Sequence, residues 1–529
     1  MALPESDEAP AMTRRVRPRA RLRTVLIVLV LAAPSILTSV LVSRLFNASI
    51  LDYFPSLSDE IVYHHQIGTF VSAGFKGGYY GFYEATAPLS VSHFGVHGPA
   101  FPVMFGLPGR LMGWHLYSGP LFNLLLLAAA VAGFLVLTDA SRTTIVSAGA
   151  LILTSWWVIL NLSTTMQETL NQAFMIVVAG LTTRRLRDLS PGRATLWLTL
   201  AILAVSSVLR PTNWILAAPL VFAELAPAGL GLACLGALVT TTGLPLFWML
   251  WRYISAPIPG LTIDLPGLTG TRAAARLSAY FLHQIAENGA AILNVKSLTS
   301  EPFWQHVVFE SLLLTGVVAA SAGAAMNRAW TDQAGSTFSR LWKNMRFRVD
   351  VFSFLSLGSA LIAFFGFYFD AQGSISRVTT PFLLLCLLIL AATGGRGMLL
   401  GAILVANVFV MPSFVRQYRD LRIEAFTFDR TNYERLREEL AAHIVFNPNQ
   451  GPWCNTLLVM NFRQELLAVP PGIGLSFGSP TKSVLDPVKS NWLLLTEDDL
   501  STLEDRARLE HVATTALGEL YRNLGARCR

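Results

Sequence analysis

Acids and histidines are scarce in this chain, and several of them cluster. Residues 55–102 hold Asp59, Glu60 and Glu84, with His64, His65, His93 and His97 and a run of Tyr and Gly, and apolar segments lie on both sides. If SDEIVYHHQ is helical, Asp59, Tyr63 and Gln66 share one face, and Glu60 and His64 share the next. A carboxylate held there can take a proton from an acceptor hydroxyl, which makes Asp59 and Glu60 the candidate catalytic pair, with Tyr63 beside them. The competing reading is a helix start, in which Ser56 and Asp59 form a capping box and acids suit the first turn. In HFGVHGPAFP, His93 and His97 stand four apart, but Gly95, Gly98 and Pro99 argue against a regular helix, so a rigid turn competes with metal binding. Glu84 and His93 are the candidate donors for a divalent metal, and His97 is a candidate substrate contact.

Two arginines stand at the ends of apolar runs: Arg210 in LRPTNW and Arg377 in GSISRVTTP. A guanidinium there matches phosphate oxygens, or it anchors a helix end by extending its charged head to the interface. Glu168 in MQETLNQ lies at the end of a hairpin, where it can approach the acidic loop or cap the next helix.

The elements that must position these groups are apolar. The chain has 529 residues, 53% hydrophobic and only 14% charged, with a mean hydropathy of +0.50. Soluble domains carry about 25% charged residues. Runs near the roughly 20 residues needed to cross a bilayer fall at 24–43, 119–138, 145–162, 170–181, 196–209, 214–225, 230–251, 307–326, 351–369, 378–392 and 398–411, which makes eleven spans. Polar loops remain at 44–118 and 252–303, the second with an amphipathic helix near 272–292, and residues 1–23 form a basic N-terminus. With that N-terminus cytoplasmic, Arg142, Arg184, Arg185, Arg187, Arg340, Arg346 and Arg396 all fall in inner loops, as the positive-inside rule requires. Asp59, Arg210, Arg377 and both long loops then share the outer face.

The tail at 412–529 changes character. Segment 431–443 has helical periodicity, 455–461, 466–469 and 492–496 read as strands, and 497–523 reads as helix. The expected fold is therefore an α-helical polytopic membrane protein of about eleven transmembrane helices with a small extracytoplasmic α/β C-terminal domain. Cys454 and Cys528 form a disulfide if that domain meets an oxidising compartment and stay thiols if it does not. The net charge of +7 does not indicate a nucleic-acid partner, because most of the excess lies in short loops beside apolar segments.

The run SDEIVY in a long first outer loop, followed by HGPAFP and an apolar run ending in Gly113, resembles the GT-C superfamily of membrane glycosyltransferases. Within it, the aminoarabinose transferase and protein O-mannosyltransferase branch is the nearest likeness. The resemblance implies a multi-pass protein of the bacterial plasma (inner) membrane that takes a sugar from a polyprenyl-phosphate donor, among membrane lipids, on the outer face. It implies Asp59 as general base, Glu60 as an orienting or metal-binding group, and Arg377 and Arg210 on the donor phosphate. It leaves the acceptor open as lipid, glycan or protein, and predicts inversion at the anomeric carbon.

Two rival functions use similar substrates. A transporter or flippase of lipid-linked glycans needs ionisable groups or broken helices near mid-bilayer, and the expected spans hold almost none. A polymerase or ligase of surface polysaccharide depends on basic residues in a large outer loop, and Arg272, Arg276 and Lys296 fit that demand.

Overall fold

The computed structural model describes residues 18–256 apart from 79, 83, 85–97 and 189–191; residues 279, 282–288 and 290; residues 316–327; and residues 341–526 apart from 368–370, 395–396, 461–462, 479–487 and 502–505. The chain begins with α1 (Pro18–Phe46), α2 (Ser58–Ala73), a short strand β1 (Tyr80–Phe82) and α3 (Ala100–Met112). Next come α4 (Ser118–Leu137), α5 (Arg142–Thr154), α6 (Trp156–Leu162), α7 (Glu168–Arg187), α8 (Arg193–Leu209), α9 (Ala217–Leu225), α10 (Leu230–Thr241) and α11 (Gly243–Ile254). After the second long loop follow α12 (Met345–Phe367), α13 (Ala371–Thr393) and α14 (Gly397–Thr427).

Among the described residues, five helices are long and apolar enough to cross a membrane: Arg21–Phe46, Ser118–Leu137, Leu230–Ile254, Met345–Phe365 and Gly397–Thr427. The expected span at 145–162 is broken at Ser155, where α5 and α6 meet at 68°, and the pair together qualifies as a sixth. Helix α8 and the Arg377–Thr393 part of α13 are shorter apolar helices. The expected span at 307–326 falls partly outside the described residues; within it, 316–326 are helical.

Packing sorts these helices by depth. Helix α13 is buried continuously from Val378 to Ala392, and it packs against α7, which in turn packs against α4. Trp156, Phe352, Phe382 and Phe414 belong to the same apolar core. By contrast, Leu235, Leu238 and Leu246 on α10–α11, and Val405, Val408 and Phe409 on α14, are exposed. An all-round apolar helix with an unpaired apolar face suits lipid, where its backbone bonds are satisfied internally.

Helix α14 runs through Pro412 to Thr427, beyond the boundary expected at 412. A proline inside a helix removes one backbone bond, and here the continuation is held by Tyr418, Arg422, Ala425 and Phe426, all buried.

The tail then forms α15 (Thr431–His443), β2 (Thr456–Val459), β3 (Gly474–Phe477), β4 (Trp492–Leu495), α16 (Glu497–Ser501), β5 (Leu509–Thr515) and β6 (Gly518–Asn523). Two expectations fail here. Residues 466–469 fall at a 3-10 turn, Gln464–Ala468, and most of 497–523 is a β-hairpin rather than a helix. Val512, Thr514 and Thr515 are β-branched, which suits a strand. Gly518 has φ 143°, and a Cβ there would lie 2.5 Å from the Leu495 carbonyl oxygen, so glycine fits the close approach to β4.

The sheet order is β1-β3-β2-β4-β6-β5. The pairs β1–β3, β2–β3 and β2–β4 are parallel, while β4–β6 and β5–β6 are antiparallel. The uninterrupted burial of β2 and β3 is what a parallel sheet covered on both faces demands. Strand β1 comes from the first long loop, with Tyr80 opposite Leu475 and Phe82 opposite Phe477, so that loop is stitched into the tail's sheet. Cys454 is disulfide-bonded, and Cys234 and Cys386 are free thiols.

Candidate active site

Four of the predicted residues meet at one place. Asp59 is the second residue of α2, Glu168 opens α7, Arg210 follows the end of α8, and Arg377 lies in the first turns of α13. Glu168 is 1% exposed; its Oε1 accepts from Arg377 Nε at 2.7 Å and from Arg210 Nη2 at 3.3 Å. Arg377 Nη2 donates to Asp59 Oδ2 at 3.2 Å, and Arg210 Nη1 donates to the main-chain carbonyl of Arg377 at 2.8 Å. Two cations and two anions from four helices thus close on one another.

Local chemistry explains each placement. Pro211 biases the preceding residue away from the helical region, and Arg210 is extended at φ −144°, ψ 103°, which ends α8 there. Glu168 stands in the first turn of α7, where the helix dipole favours a carboxylate. Its Oε2 has no hydrogen-bond partner among the described residues.

The cluster has a closed end and an open end. Glu168 and Arg210 form the closed one, while the side chains of Asp59 and Arg377 remain 35% and 30% exposed. Tyr63 is buried alongside. Burial first, then the charges of Asp59 and Glu168, hold its hydroxyl well above the ordinary phenol range, and the two arginines oppose them only in part. It stands as a neutral phenol beside the charges, its ring edge-on to Phe101 at 4.9 Å.

Glu60 goes elsewhere. It is fully buried, and its Oε1 accepts from Arg422 Nη1 at 2.6 Å. Its Oε2 accepts the backbone N–H groups of Ser56 and Leu57, at 3.0 and 3.2 Å. The helix-capping role that the competing reading gave Asp59 falls to Glu60, and Asp59 reaches Arg377 instead.

Glu84 also leaves the cluster. Its carboxylate accepts the N–H groups of Lys489 at 2.8 Å and Ser490 at 2.7 Å, and its own N–H donates to Ser476 Oγ at 2.9 Å. It docks the first long loop onto the tail, at a backbone φ of 55°. His93 and His97 lie outside the described residues. Among the described residues no group of three or more His, Cys, Asp or Glu could hold a metal ion, and both Glu84 oxygens are already engaged.

His64 and His65 are buried. Burial lowers His64 to about 3, with a further contribution from His65, and lowers His65 to about 4. Both are neutral at physiological pH. The His64 ring lies 5.0 Å from that of Trp114, whose Nε1 donates to the His64 carbonyl at 3.1 Å.

Sequence reasoning missed Arg422 and Tyr53. Arg422 is one of three arginines spaced by three in VRQYRDLR, and nothing in that spacing marks which is buried. The Tyr53 hydroxyl accepts from the Thr165 N–H at 3.0 Å and lies 3.2 Å from Thr165 Oγ1. Its position six residues before Asp59 was the available signal.

The arrangement joins two capabilities. Two guanidiniums fixed by a buried carboxylate can take an oxyanion, because bidentate donors match phosphate geometry. The half-exposed Asp59 is a proton acceptor at the edge of the same guanidinium.

No family model matches this chain, and no curated protein does. It is similar to the crystal structure of ArnT from Cupriavidus metallidurans bound to undecaprenyl phosphate, at 9% identity and a TM-score of 0.42, covering 96% of this chain and 99% of that one. The apo state of the same ArnT gives 10% identity and 0.42, over 94% and 98% of the two chains. The archaeal oligosaccharyltransferase AglB from Archaeoglobus fulgidus, in complex with an inhibitory peptide and a dolichol-phosphate, gives 11% and 0.40, over 86% of this chain and 64% of that one.

Proposed function

We propose that the chain is a membrane glycosyltransferase that moves a sugar from a polyprenyl-phosphate donor to an acceptor hydroxyl on the outer face, with inversion at the anomeric carbon. The observation that carries this reading is Arg377 bridging Glu168 and Asp59. One cation then touches both a buried anchoring acid and a half-exposed base. The donor phosphate sits against Arg377 and Arg210, and its lipid tail lies among the apolar helices. The acceptor hydroxyl approaches C1 from the side opposite the phosphate, and Asp59 takes its proton as the new C–O bond forms. The old C1–O bond breaks, and polyprenyl phosphate leaves with the electron pair, its growing negative charge matched by the arginines.

Such a donor carries a good leaving group, so the chemistry asks for cations at the phosphate rather than for a general acid. Tyr63, held neutral, offers a hydrogen bond but no charge.

Two features support the outer face. The disulfide at Cys454 suits an oxidising compartment, and the basic inner loops follow the positive-inside rule. The test is to give the purified protein, in detergent, a panel of polyprenyl-phosphate sugars and an acceptor mixture, and to follow donor loss and product configuration by NMR. Consumption of one donor with inverted product supports the reading. Retained configuration removes Asp59 as a single-displacement base, and no turnover across the panel moves the flippase or polymerase reading ahead.

A further inference from the structure

The site described above uses α2, α7, α8 and α13, yet a fifth helix touches both halves of it without contributing to it. Tyr418 and Arg422 lie four residues apart on α14, and so on one face, about 6 Å along the axis. Both are almost completely buried. The Tyr418 hydroxyl donates to Ser163 Oγ at 2.8 Å, and Arg422 Nη1 donates to Glu60 at 2.6 Å. Ser163 opens the short connection that ends at Glu168, and Glu60 is the neighbour of Asp59.

The two contacted segments are also tied to each other. Tyr53 bonds Thr165 through its hydroxyl, and the Phe54 N–H donates to the Ala425 carbonyl on α14 at 2.8 Å. Running from α14, one arm passes through Arg422 and Glu60 to Asp59, and the other through Tyr418, Ser163 and the 163–168 connection to Glu168. The arms meet again at Arg377, which bonds both Asp59 and Glu168. The ring is closed and lies largely out of solvent.

We propose that Tyr418 and Arg422 are positioning residues, and that α14 sets the spacing between Asp59 and Glu168 so that one guanidinium can span them. The inference rests on the site proposed above, and it assigns a role to two residues that touch none of the reacting groups. Consecutive residues Asp59 and Glu60 point about 100° apart on α2, so locking Glu60 against Arg422 fixes the rotation of that first turn and the direction of Asp59. A packing role alone does not require the two arms to end on the same cation.

The test is a double-mutant cycle on the full chain in detergent, which needs no substrate. Thermal unfolding is measured for wild type, Asp59→Asn, Arg377→Gln and the double variant, and the non-additivity in Tm reports their coupling. The cycle is repeated on Arg422→Met, Arg422→Lys and Tyr418→Phe. The expected result is a non-additivity that falls by at least half in Arg422→Met and Tyr418→Phe and returns toward wild type in Arg422→Lys. Equal non-additivity in every background, or none in wild type, overturns the proposal. If Arg422→Met does not fold, Tyr418→Phe decides, since it removes a single hydrogen bond. Farnesyl phosphate is added to the same samples as a probe. If it shifts the Tm of none of them, wild type included, the donor-phosphate reading fails while the cycle still decides the positioning role.

Discussion

Replacing Glu168 by Gln removes the charge that holds both arginines while keeping a carbonyl acceptor of nearly the same shape. At about 4 Å and an effective dielectric of about 20, each carboxylate–guanidinium contact is worth about 4 kcal/mol of Coulomb energy. Glu168 makes two such contacts from a side chain that is 1% exposed. Against that stand its own desolvation and its repulsion from Asp59. Breaking a buried pair by removing one partner typically costs about 3–5 kcal/mol, and the retained acceptor places the expected loss near the lower end, about 3 kcal/mol. The local charge of the four-residue cluster rises from zero to plus one. Arg377 is then drawn toward Asp59, which blunts it as a base. The assay is thermal unfolding in detergent followed by tryptophan fluorescence, alongside donor turnover, with the exposed Glu438→Gln as a control expected to stay within about 0.5 kcal/mol. A Glu168→Gln protein with wild-type Tm and wild-type turnover refutes the claim that this carboxylate organises the arginines.

Further outcomes follow from the same structure. His64 and His65 have folded-state pKa values lowered to about 3 and about 4. Their stabilising contribution is therefore complete above the unfolded value of about 6.5 and falls as pH drops toward the folded values. At pH 5 the loss is about 2 kcal/mol for each, and the double variant His64→Phe/His65→Phe should flatten the acid limb of a Tm–pH profile. A steep limb in that variant points to other groups. Glu84→Ala leaves the Lys489 and Ser490 N–H groups without their acceptor, at a cost of about 1.5–3 kcal/mol, and hydrogen exchange should quicken in β1 and β3 more than in α4. Reduction of the disulfide at Cys454 should lower the stability of the tail by about 2–4 kcal/mol, seen as a lower Tm under dithiothreitol that Cys454→Ser reproduces without reductant.

The sequence makes the charges of the site readable for a physical reason. Glu168, Arg210 and Arg377 are isolated charges at the ends of apolar runs, where a lone charge stands out from its surroundings, and Asp59 stands beside Glu60 in a polar loop between such runs. The positive-inside count predicts a common face for them, although it does not predict their contacts. Arg422 stands among Arg416 and Arg419 in a charge-rich stretch, where no periodicity separates the buried arginine from the solvated ones. Which of Asp59 and Glu60 caps α2 was not legible, since two adjacent acids at a helix start suit the same first turn and only the partners decide. Helix α14 runs past residue 412 because the buried Tyr418 and Arg422 outweigh the backbone bond lost at Pro412. The β5–β6 hairpin was hidden by charged residues at a spacing that also suits a helix, and β1 by its glycines. Its strand state comes from pairing with β3, which lies almost four hundred residues away in the chain.

The most direct test of the account is single-turnover transfer by Asp59→Asn, compared with wild type on whichever polyprenyl-phosphate sugar wild type consumes. A positioned general base contributes about 10²–10⁴-fold. The account predicts that the variant folds, binds the donor phosphate as wild type does or better, and transfers sugar at least about a hundredfold more slowly. Transfer at the wild-type rate by a folded Asp59→Asn protein contradicts it, because the one half-exposed carboxylate bridged to Arg377 would then have no part in the chemistry.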